Sequence, residues 1–443
     1  MYSKEIKIIE NYIKNKVKDF EIYISKEKTF SVKIHEQKIE SFSYSDSNGI
    51  GLRIIQNNKI GYSYTEKFEK KSLENIVDEA IKNSELTESN KYVEIKNYPE
   101  LENKPEVYSK KIEELDIKDK INFAMELEKL AKKEDTRVIN VPYAIFGNTS
   151  IYTKIVNSKG LNKEDKHNSA YSFVGVLASE SKENRMGLEF QIGRNFNKFD
   201  AKKLAQDSVR KATGLLNSKP VHSSSYAIVF NEEMMATLLK TFSGMFSAES
   251  IQEGKSILSG KLGEKIANNK VTIIDNALHP DGYATQAFDS EGYPSQKTIL
   301  VEKGRLNSYL HNTETAKKDK VKSTGNGTRS YKDSLSVSPT NLYLEPNSNS
   351  VDELFKKHEE TIEIVNLQGL HSGANPISGD FSLSGEGYLY KNGKKQHSLK
   401  PFTVSGNFLN MLNDVEMVAN NFRFNMNSVG AASVLIKNLS ISG

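Results

Sequence analysis

The spacing of the apolar residues changes near residue 20, and this change constrains the fold more than any other feature of the sequence. Residues 3–18 carry apolar side chains at intervals of three and four, which predicts a helix with one buried stripe. From Phe20 onward the interval is two, with Ile22 and Ile24 following, which predicts β-strands. A helix followed by strands argues for helices packed against a sheet.

The rest of the first half continues with both spacings. Two strands at residues 50–56 and 60–64 are predicted to form a hairpin through Asn57-Asn58, a pair that suits a tight turn. A helix at 73–83 follows. A polar linker is predicted at residues 87–117 and a helix at 118–133. A group of strands is predicted at 137–198, and a further helix at 200–216.

The second half begins after the proline and serines of residues 219–225, which mark a domain boundary. A strand from Ala227 to Phe230 leads into a predicted helix at 231–248, which Asn231 can cap. We interpret the methionine and phenylalanine side chains of this helix as core and not as a substrate groove. Short strands are predicted for the remainder, at residues 271–275, 297–302, 361–365, 381–390 and 432–442. Asn392-Gly393 is predicted to form a hairpin turn.

These elements predict an α+β fold with two kinds of domain. The N-terminal domain has helices packed on an antiparallel sheet, and the C-terminal domain is β-rich and resembles a barrel or a sandwich. We divide the chain into an N-terminal α+β domain at 1–90, a central segment at 91–222 that completes or extends it, and a C-terminal β-rich domain at 223–443.

Composition removes several classes of function. The 443 residues include no cysteine, which excludes disulfides, thiolate zinc sites, iron–sulfur clusters and cysteine nucleophiles. No run of about 18 apolar residues occurs, so neither a transmembrane helix nor a membrane partner is expected. The net charge of +4 is dispersed, which argues against nucleic acid as a partner. We expect a cytoplasmic protein.

Short motifs rich in glycine and polar residues recur across the chain. They lie at Gly49–Glu66, Val156–Gly160, Phe288–Lys318, Ser323–Gly327, Ser378–Gly393 and Val404–Asn407. Their order and spacing resemble those of the TldD/TldE (PmbA) family. The resemblance implies an N-terminal α+β domain, a C-terminal β-rich domain and participation in a zinc-dependent peptidase built from two related subunits. In the TldD type, an HExxxH helix and a later cysteine hold the zinc, and the glutamate acts on zinc-bound water.

This chain departs from the TldD pattern. It contains neither HExxH nor HExxxH, and Ser247, Glu249 and Gln252 lie near where the ligands would fall. We interpret Glu249 as a surface carboxylate beyond the helix end and not as a remnant of the catalytic glutamate. The C-terminal residues resemble the ending of TldE. The resemblance therefore implies a TldE/PmbA-type subunit with no cofactor, metal ligand or catalytic residue of its own, and with zinc in a TldD-type partner.

Two of the motifs are candidates for a substrate groove. Glycine-rich turns allow close approach of a ligand, and serine and asparagine side chains can hydrogen-bond a peptide backbone. The candidate groove residues are Gln296, Ser323, Asn326, Ser378 and Asp380. Tight turns of the β-rich domain explain the same motifs equally well. The lysine run Lys317–Lys322 is interpreted as a solvated loop.

Three functions are left open. The first is a TldE/PmbA-type subunit of a cytoplasmic TldD/TldE peptidase complex, which helps to form the chamber and to bind unfolded peptides. Its partner would be a TldD-type chain, or a second copy of itself. The second is a homo-oligomeric peptidase with a site built from distant residues, among which Asp289, Glu291 and Asp380 are candidates. The third is a regulatory binding protein, as the older family name, modulator of DNA gyrase, suggests.

Overall fold

The computed structural model describes all 443 residues. The first half contains five helices and six strands, in which the predicted change of spacing is confirmed: after the first helix the chain forms three consecutive strands. The elements are α1 Ser3–Ile13, β1 Asp19–His35, β2 Lys38–Gln56, β3 Lys59–Thr65, α2 Lys70–Leu86, α3 Lys110–Glu113, α4 Ile117–Glu134, β4 Val138–Asn157, β5 Asn162–Glu180, β6 Glu183–Gly193 and α5 Ala201–Gly214.

These six strands form one antiparallel sheet in the order β3-β2-β1-β4-β5-β6. Even-numbered residues of β1 from Phe20 to Ile34 include most of its buried apolar side chains, because alternate residues of a strand share one face. Helices α1 and α2 cover one end of that face, and α4 and α5 cover the other. The odd-numbered residues Glu21 and Tyr23 lie on the opposite face.

The second half contains the remaining six helices and fourteen strands, most of them short. The elements are β7 Ser224–Phe230, α6 Glu232–Thr241, α7 Ala248–Gln252, β8 Ile273–Asn276, β9 Lys297–Glu302, β10 Arg305–Leu306, α8 Thr313–Asp319, β11 Gly327–Thr328, β12 Ser336–Val337, β13 Leu342–Leu344, α9 Val351–Lys356, β14 Glu360–Gln368, α10 Leu370–Gly373, β15 Asp380–Lys391, β16 Lys394–Asn407, α11 Phe408–Asn413, β17 Val415–Val418, β18 Arg423–Phe424, β19 Val429–Ala431 and β20 Val434–Ser442.

Two six-stranded sheets enclose a single large core in this half. One has the order β10-β9-β8-β13-β19-β18, and the other has the order β16-β15-β14-β7-β20-β17. In the second sheet β16 also pairs with β20, which closes a five-stranded barrel. The predicted α+β fold with a β-rich, barrel-like second half is confirmed. No helix is long and apolar enough to cross a membrane.

The predictions that depend on one or two neighbouring residues, the hairpin turns and the helix cap, are confirmed. Both predicted hairpin turns are confirmed, with φ of 53° and 58° at Asn57 and Asn58, and 48° and 75° at Asn392 and Gly393. Asn231 caps α6 as predicted, since its side chain accepts a hydrogen bond from the backbone N–H of Met234 at 2.8 Å.

The single helix predicted at 231–248 is wrong. Helix α6 ends at Thr241, and a 3₁₀ turn at Ser243–Phe246 separates it from α7. The Ser243 hydroxyl donates to the Lys240 carbonyl at 2.8 Å, so a side chain competes for the backbone where the helix stops. The prediction that its apolar side chains are core is confirmed, because Phe242, Met245 and Phe246 are fully buried.

Candidate functional site

The motif that begins at Gly49 covers the end of β2 and all of β3, and alternate residues of its β2 part face away from α1 and α2. Gly49, Gly51 and Arg53 point the same way because they alternate along the strand. The loop that carries Tyr331 packs directly on the two glycines. A Cβ at Gly51 would lie 2.5 Å from the Tyr331 carbonyl oxygen, and one at Gly49 would lie 2.1 Å from its ring. The glycines therefore allow the second half of the chain to pack against the sheet.

Four charged side chains form a buried ion cluster at this junction: Glu21, Arg53, Glu291 and Arg329. One Glu21 oxygen accepts a hydrogen bond from Arg329 at 2.5 Å and lies 3.1 Å from a guanidinium nitrogen of Arg53. Arg53 also lies 3.7 Å from a Glu291 oxygen. The exposed fractions of the four side chains do not exceed 5%. Charges this deeply buried persist only when they are paired, so the cluster ties the two halves together.

The motif at Phe288–Gly292 forms a tight turn beside the ion cluster. One Asp289 oxygen accepts from the backbone N–H groups of Glu291 and Tyr293, and the other from Gly327, each at 2.9 Å. Glu291 accepts from the N–H of Thr313 at 2.7 Å. Burial, together with the neighbouring Glu291, raises the pKa of Asp289 to about 8, and burial raises that of Glu291. Both carboxyls are engaged in holding backbone.

Asn326 is the centre of a second buried set, the amide network of Asp275, Thr324 and Asn326. The Asn326 amide donates to Asp275 at 2.7 Å, and its oxygen accepts from the Thr324 hydroxyl at 2.7 Å. Burial outweighs the hydrogen bonds to Asp275 and raises its pKa to about 6. Asn326 is only 2% exposed, and it borders a cavity of about 200 Å³ that is lined mainly by hydroxyl and amide groups.

The structure brings three of the five candidate groove residues together. The Gln296 side chain donates to the Ser323 carbonyl at 3.1 Å, and the Ser323 hydroxyl donates to the His311 carbonyl at 3.1 Å. The backbone N–H of Asn326 donates to that same carbonyl at 3.2 Å. Gln296, Ser323 and Asn326 therefore belong to one region at the junction. Whether a peptide contacts them stays a prediction.

The other two candidates lie on the rim of the barrel, in a rim group of Ser378, Asp380 and Asn407. Asp380 is exposed and accepts from the Ser378 hydroxyl at 2.7 Å and from the Asn407 amide at 2.9 Å. Donation by Asn407 and Ser378 lowers the pKa of Asp380. No hydrogen bond joins the rim group to Gln296, Ser323 or Asn326, so the candidates occupy two separate regions.

The segment predicted to replace the zinc motif folds around α7. Ser247 is buried and its hydroxyl has no hydrogen-bond partner. Glu249 accepts from the Ser336 hydroxyl at 2.6 Å and from the Val337 N–H at 3.2 Å. The interpretation of Glu249 as a surface carboxylate beyond the helix is wrong, because it is half-buried and lies within α7. Gln252 donates to the Thr315 carbonyl at 2.9 Å.

These three residues do not fit a zinc ion. They offer one carboxylate that already accepts two hydrogen bonds, one hydroxyl and one amide, where zinc prefers thiolate, imidazole and carboxylate ligands. Elsewhere in the chain, no group of three or more His, Asp or Glu side chains is placed to hold a metal ion.

The lysine run was predicted to be a loop, and this is wrong in part. Lys317 to Asp319 form the last turn of α8, and Lys320 ends the helix with φ of 59°. The run is exposed, as predicted. Lysines are favourable at a helix C-terminus.

Sequence reasoning missed Glu21, Arg329 and Asp275. Arg53 lay within a recognised motif, and pairing of β1 with β2 places it directly opposite Glu21. A register prediction for this hairpin could therefore have found that pair. Arg329 and Asp275 follow neither an apolar spacing nor a motif, so no sequence signal pointed to them.

Comparison with known proteins agrees with this arrangement. Models of PmbA/TldA metallopeptidase domain 1, central domain and C-terminal domain match residues 20–84, 110–216 and 223–443. The chain belongs to the PmbA/TldD metallopeptidase family. A family relative, protein MJ0231 of Methanocaldococcus jannaschii, is 30% identical over 406 residues, which are 89% of this chain and 92% of that one.

Two solved structures share the fold over essentially the whole chain. A candidate modulator of a DNA gyrase from Thermotoga maritima has a TM-score of 0.93 and 28% identity, and covers 100% of both chains. TldE from Thermococcus kodakarensis has a TM-score of 0.89 and 20% identity, over 99% of this chain and 100% of that one. The second likeness shows the fold alone. Both solved structures thus share the fold of the two halves of this chain.

Proposed function

We propose that this chain is a TldE/PmbA-type subunit of a cytoplasmic TldD/TldE peptidase complex. It helps to form the chamber and to bind unfolded peptides, and the partner subunit supplies the zinc. One observation carries the proposal: Ser247, Glu249 and Gln252 occupy the segment of the zinc motif and cannot form a zinc site. The absence of cysteine from the sequence removes the remaining ligand of the TldD type.

An open strand edge supports binding of an extended chain. Strand β3 pairs with β2 only from Ile50 to Gln56, so the stretch from Lys38 to Asn48 has no neighbour on its outer side. Phe42 and Tyr44 in this stretch are 49% and 60% exposed. Unpaired edges with exposed aromatic side chains accept a further strand, from a peptide or from a partner subunit. Backbone pairing of this kind has low sequence selectivity, as a peptidase for unfolded substrates requires.

The part of this edge that β3 covers is protected. Its outward carbonyls already accept hydrogen bonds. The Asn58 carbonyl accepts from the Asn90 N–H at 2.7 Å. The Ile60 carbonyl accepts from the Thr87 hydroxyl at 2.9 Å, and the Tyr62 carbonyl from the Asn83 amide at 2.7 Å. These contacts block strand addition along β3. On this side of the sheet, strand addition is thereby directed to the open part of β2.

The test measures metal content and peptide cleavage for the pure chain, alone and mixed with a TldD-type partner. We expect the chain alone to contain less than about 0.1 zinc per molecule and to be inert, and the mixture to cleave an unfolded peptide. If the chain alone holds about one zinc and cleaves, it is a peptidase in its own right and the proposal is wrong. A mixture no faster than the partner alone also contradicts it.

A further inference from the structure

A cleft of about 390 Å³ lies between the linker that follows α2 and helix α8. Its floor contains Tyr98 from the linker, and Tyr293, Thr313 and Ser323 from the second half of the chain. The two tyrosine rings lie 5.0 Å apart with a tilt of 59°, and the Tyr98 hydroxyl is 2.7 Å from the Thr313 hydroxyl. The floor is therefore held in place and combines aromatic faces with hydroxyl groups.

Four lysines surround the cleft: Lys96, Lys317, Lys320 and Lys322. Only one carboxylate, Glu94, lies among them, and it pairs with both Lys96 and Lys317, the latter at 3.1 Å. Lys320 and Lys322 are exposed and form no ion pair. Favourable interaction with the end of α8 accounts for Lys317 and Lys320, but not for Lys96 on the linker. The cleft therefore carries an excess of positive charge.

The cleft adjoins residues that the sequence singles out for substrate binding. Ser323 lies in its floor, and the Ser323 carbonyl accepts from Gln296 at 3.1 Å. Its volume is at the lower end of the range for ligand pockets. Such a volume admits one or two side chains of an extended peptide. Lysine ammonium groups with three donors suit a carboxylate, and tyrosine faces suit the apolar part of a peptide.

We propose that this cleft binds an aspartate or glutamate side chain of an extended peptide, so that acidic unfolded segments are the preferred ligands of this chain. The inference rests on the proposed function and names a substrate class for it. Nucleic acid is the competing anion, but a protein that binds nucleic acid lines the phosphate backbone with an extended stripe of cations. Here the lysines converge on one small cleft, and Glu94 and Glu314 lie nearby.

The experiment measures binding of two labelled, unstructured peptides to the full chain by fluorescence anisotropy. The peptides differ only in that one has three glutamates where the other has three glutamines. We expect the acidic peptide to bind about fivefold more tightly at low salt, and the difference to shrink as ionic strength approaches about 0.5 M. Equal affinity of the two peptides would overturn the inference.

A double variant, Lys320→Gln with Lys322→Gln, tests the location. We expect it to lose most of the preference for the acidic peptide and to keep its affinity for the neutral one. The matched control, Lys132→Gln with Lys133→Gln, removes two exposed lysines from the last turn of α4 and should keep the preference. A double variant that retains the preference, or a control that loses it, contradicts the assignment.

A third measurement uses a single-stranded oligonucleotide of mixed sequence. Binding that is tighter than that of the acidic peptide, and is lost in the double variant, would assign the cleft to nucleic acid and overturn the proposal. Weaker binding, unchanged by the variant, supports the peptide. Because no partner is present in these measurements, their result is independent of whether a mixture with a TldD-type chain cleaves peptides.

Discussion

Asn326 and Asp380 belong to motifs of similar composition, yet their surroundings are opposite. Asn326 is 2% exposed at the junction between the first sheet and the second half, and its amide group is fully used by Asp275, Thr324 and the Ser338 carbonyl. Asp380 is exposed on the barrel rim, where it contacts only Ser378 and Asn407. The Asn326 amide is held by internal contacts, whereas the Asp380 carboxylate on the rim is open to solvent.

The difference decides how a substitution is to be interpreted. A buried polar atom that loses its partner costs free energy of folding, whatever its role in function. An exposed one can be removed at little cost, so a change in activity reports on ligand contact. Loss of activity at the junction is therefore ambiguous, and loss of activity on the rim is not.

Removing Arg329 should have the largest effect. Arg329→Ala leaves Glu21 buried with Arg53 alone, and breaking a buried ion pair costs about 3–5 kcal/mol. Urea denaturation at pH 7, followed by circular dichroism because the chain has no tryptophan, measures the change in the free energy of unfolding. Arg210→Ala is the matched control, since Arg210 is 76% exposed and its loss should cost less than about 0.5 kcal/mol. Equal costs for the two would refute a structural role for the ion cluster.

The two regions should also respond to pH with opposite sign. The folded pKa of Asp275 is raised to about 6 by burial, so its contribution to stability is complete below about pH 4 and is lost as pH rises to about 6, by up to about 3 kcal/mol. The folded pKa of Asp380 is lowered by Asn407 and Ser378, so its contribution is present above about pH 4 and is lost as pH falls.

Urea denaturation of the native protein, Asp275→Asn and Asp380→Asn between pH 3 and pH 8 measures how the stability contribution of each carboxyl changes with pH. The stability of the native protein relative to Asp275→Asn should fall between pH 4 and pH 6, and relative to Asp380→Asn it should rise with pH at the acid end. Parallel curves for the two variants would show that the carboxyls do not differ in environment. Carboxyl NMR titration of the native protein gives an independent reading of both pKa values.

Asn326→Ala should cost less than the loss of Arg329. The change leaves Asp275 without the amide donor and removes the donor to the Ser338 carbonyl, which we expect to cost about 2 kcal/mol. Urea denaturation of this variant, with Asn307→Ala as the exposed control, checks the value. Asn307 donates to Glu302 at 3.0 Å on the surface, so its removal should stay within about 0.5 kcal/mol. A cost at Asn326 as small as that of the control would mean that the amide network is not structural.

The parts of the fold that follow local rules could be predicted from the sequence. The hairpin at Asn57-Asn58 and the cap at Asn231 depend on one or two residues and their immediate neighbours. The break after α6 could not be predicted, because it depends on a hydroxyl at Ser243 outcompeting a helix whose apolar spacing continues. Closure of the barrel by β16 and β20 likewise depends on long-range pairing.

The candidate site was predictable only as a set of motifs. Composition placed Asn326 and Asp380 in one predicted groove because glycine, serine and asparagine mark turns and ligand loops alike. Which of them is buried depends on how the two halves of the chain pack. Arg53 shows the same limit in part: its motif was recognised and the register of β1 with β2 could locate Glu21, but its other partner, Glu291, comes from the second half of the chain.

Asp380→Ala should change stability least and therefore tests function most directly. Because Asp380 is exposed, the urea midpoint at pH 7 should shift less than for Arg329→Ala or Asn326→Ala. If the rim contacts peptide, cleavage by a mixture with a TldD-type partner should slow about fivefold, the effect of one lost hydrogen bond. Asp333→Ala, an exposed carboxylate in another loop, is the control. Unchanged cleavage with unchanged stability would remove the rim from the substrate path, and would leave Gln296, Ser323 and Asn326 at the junction as the remaining candidates for peptide contact.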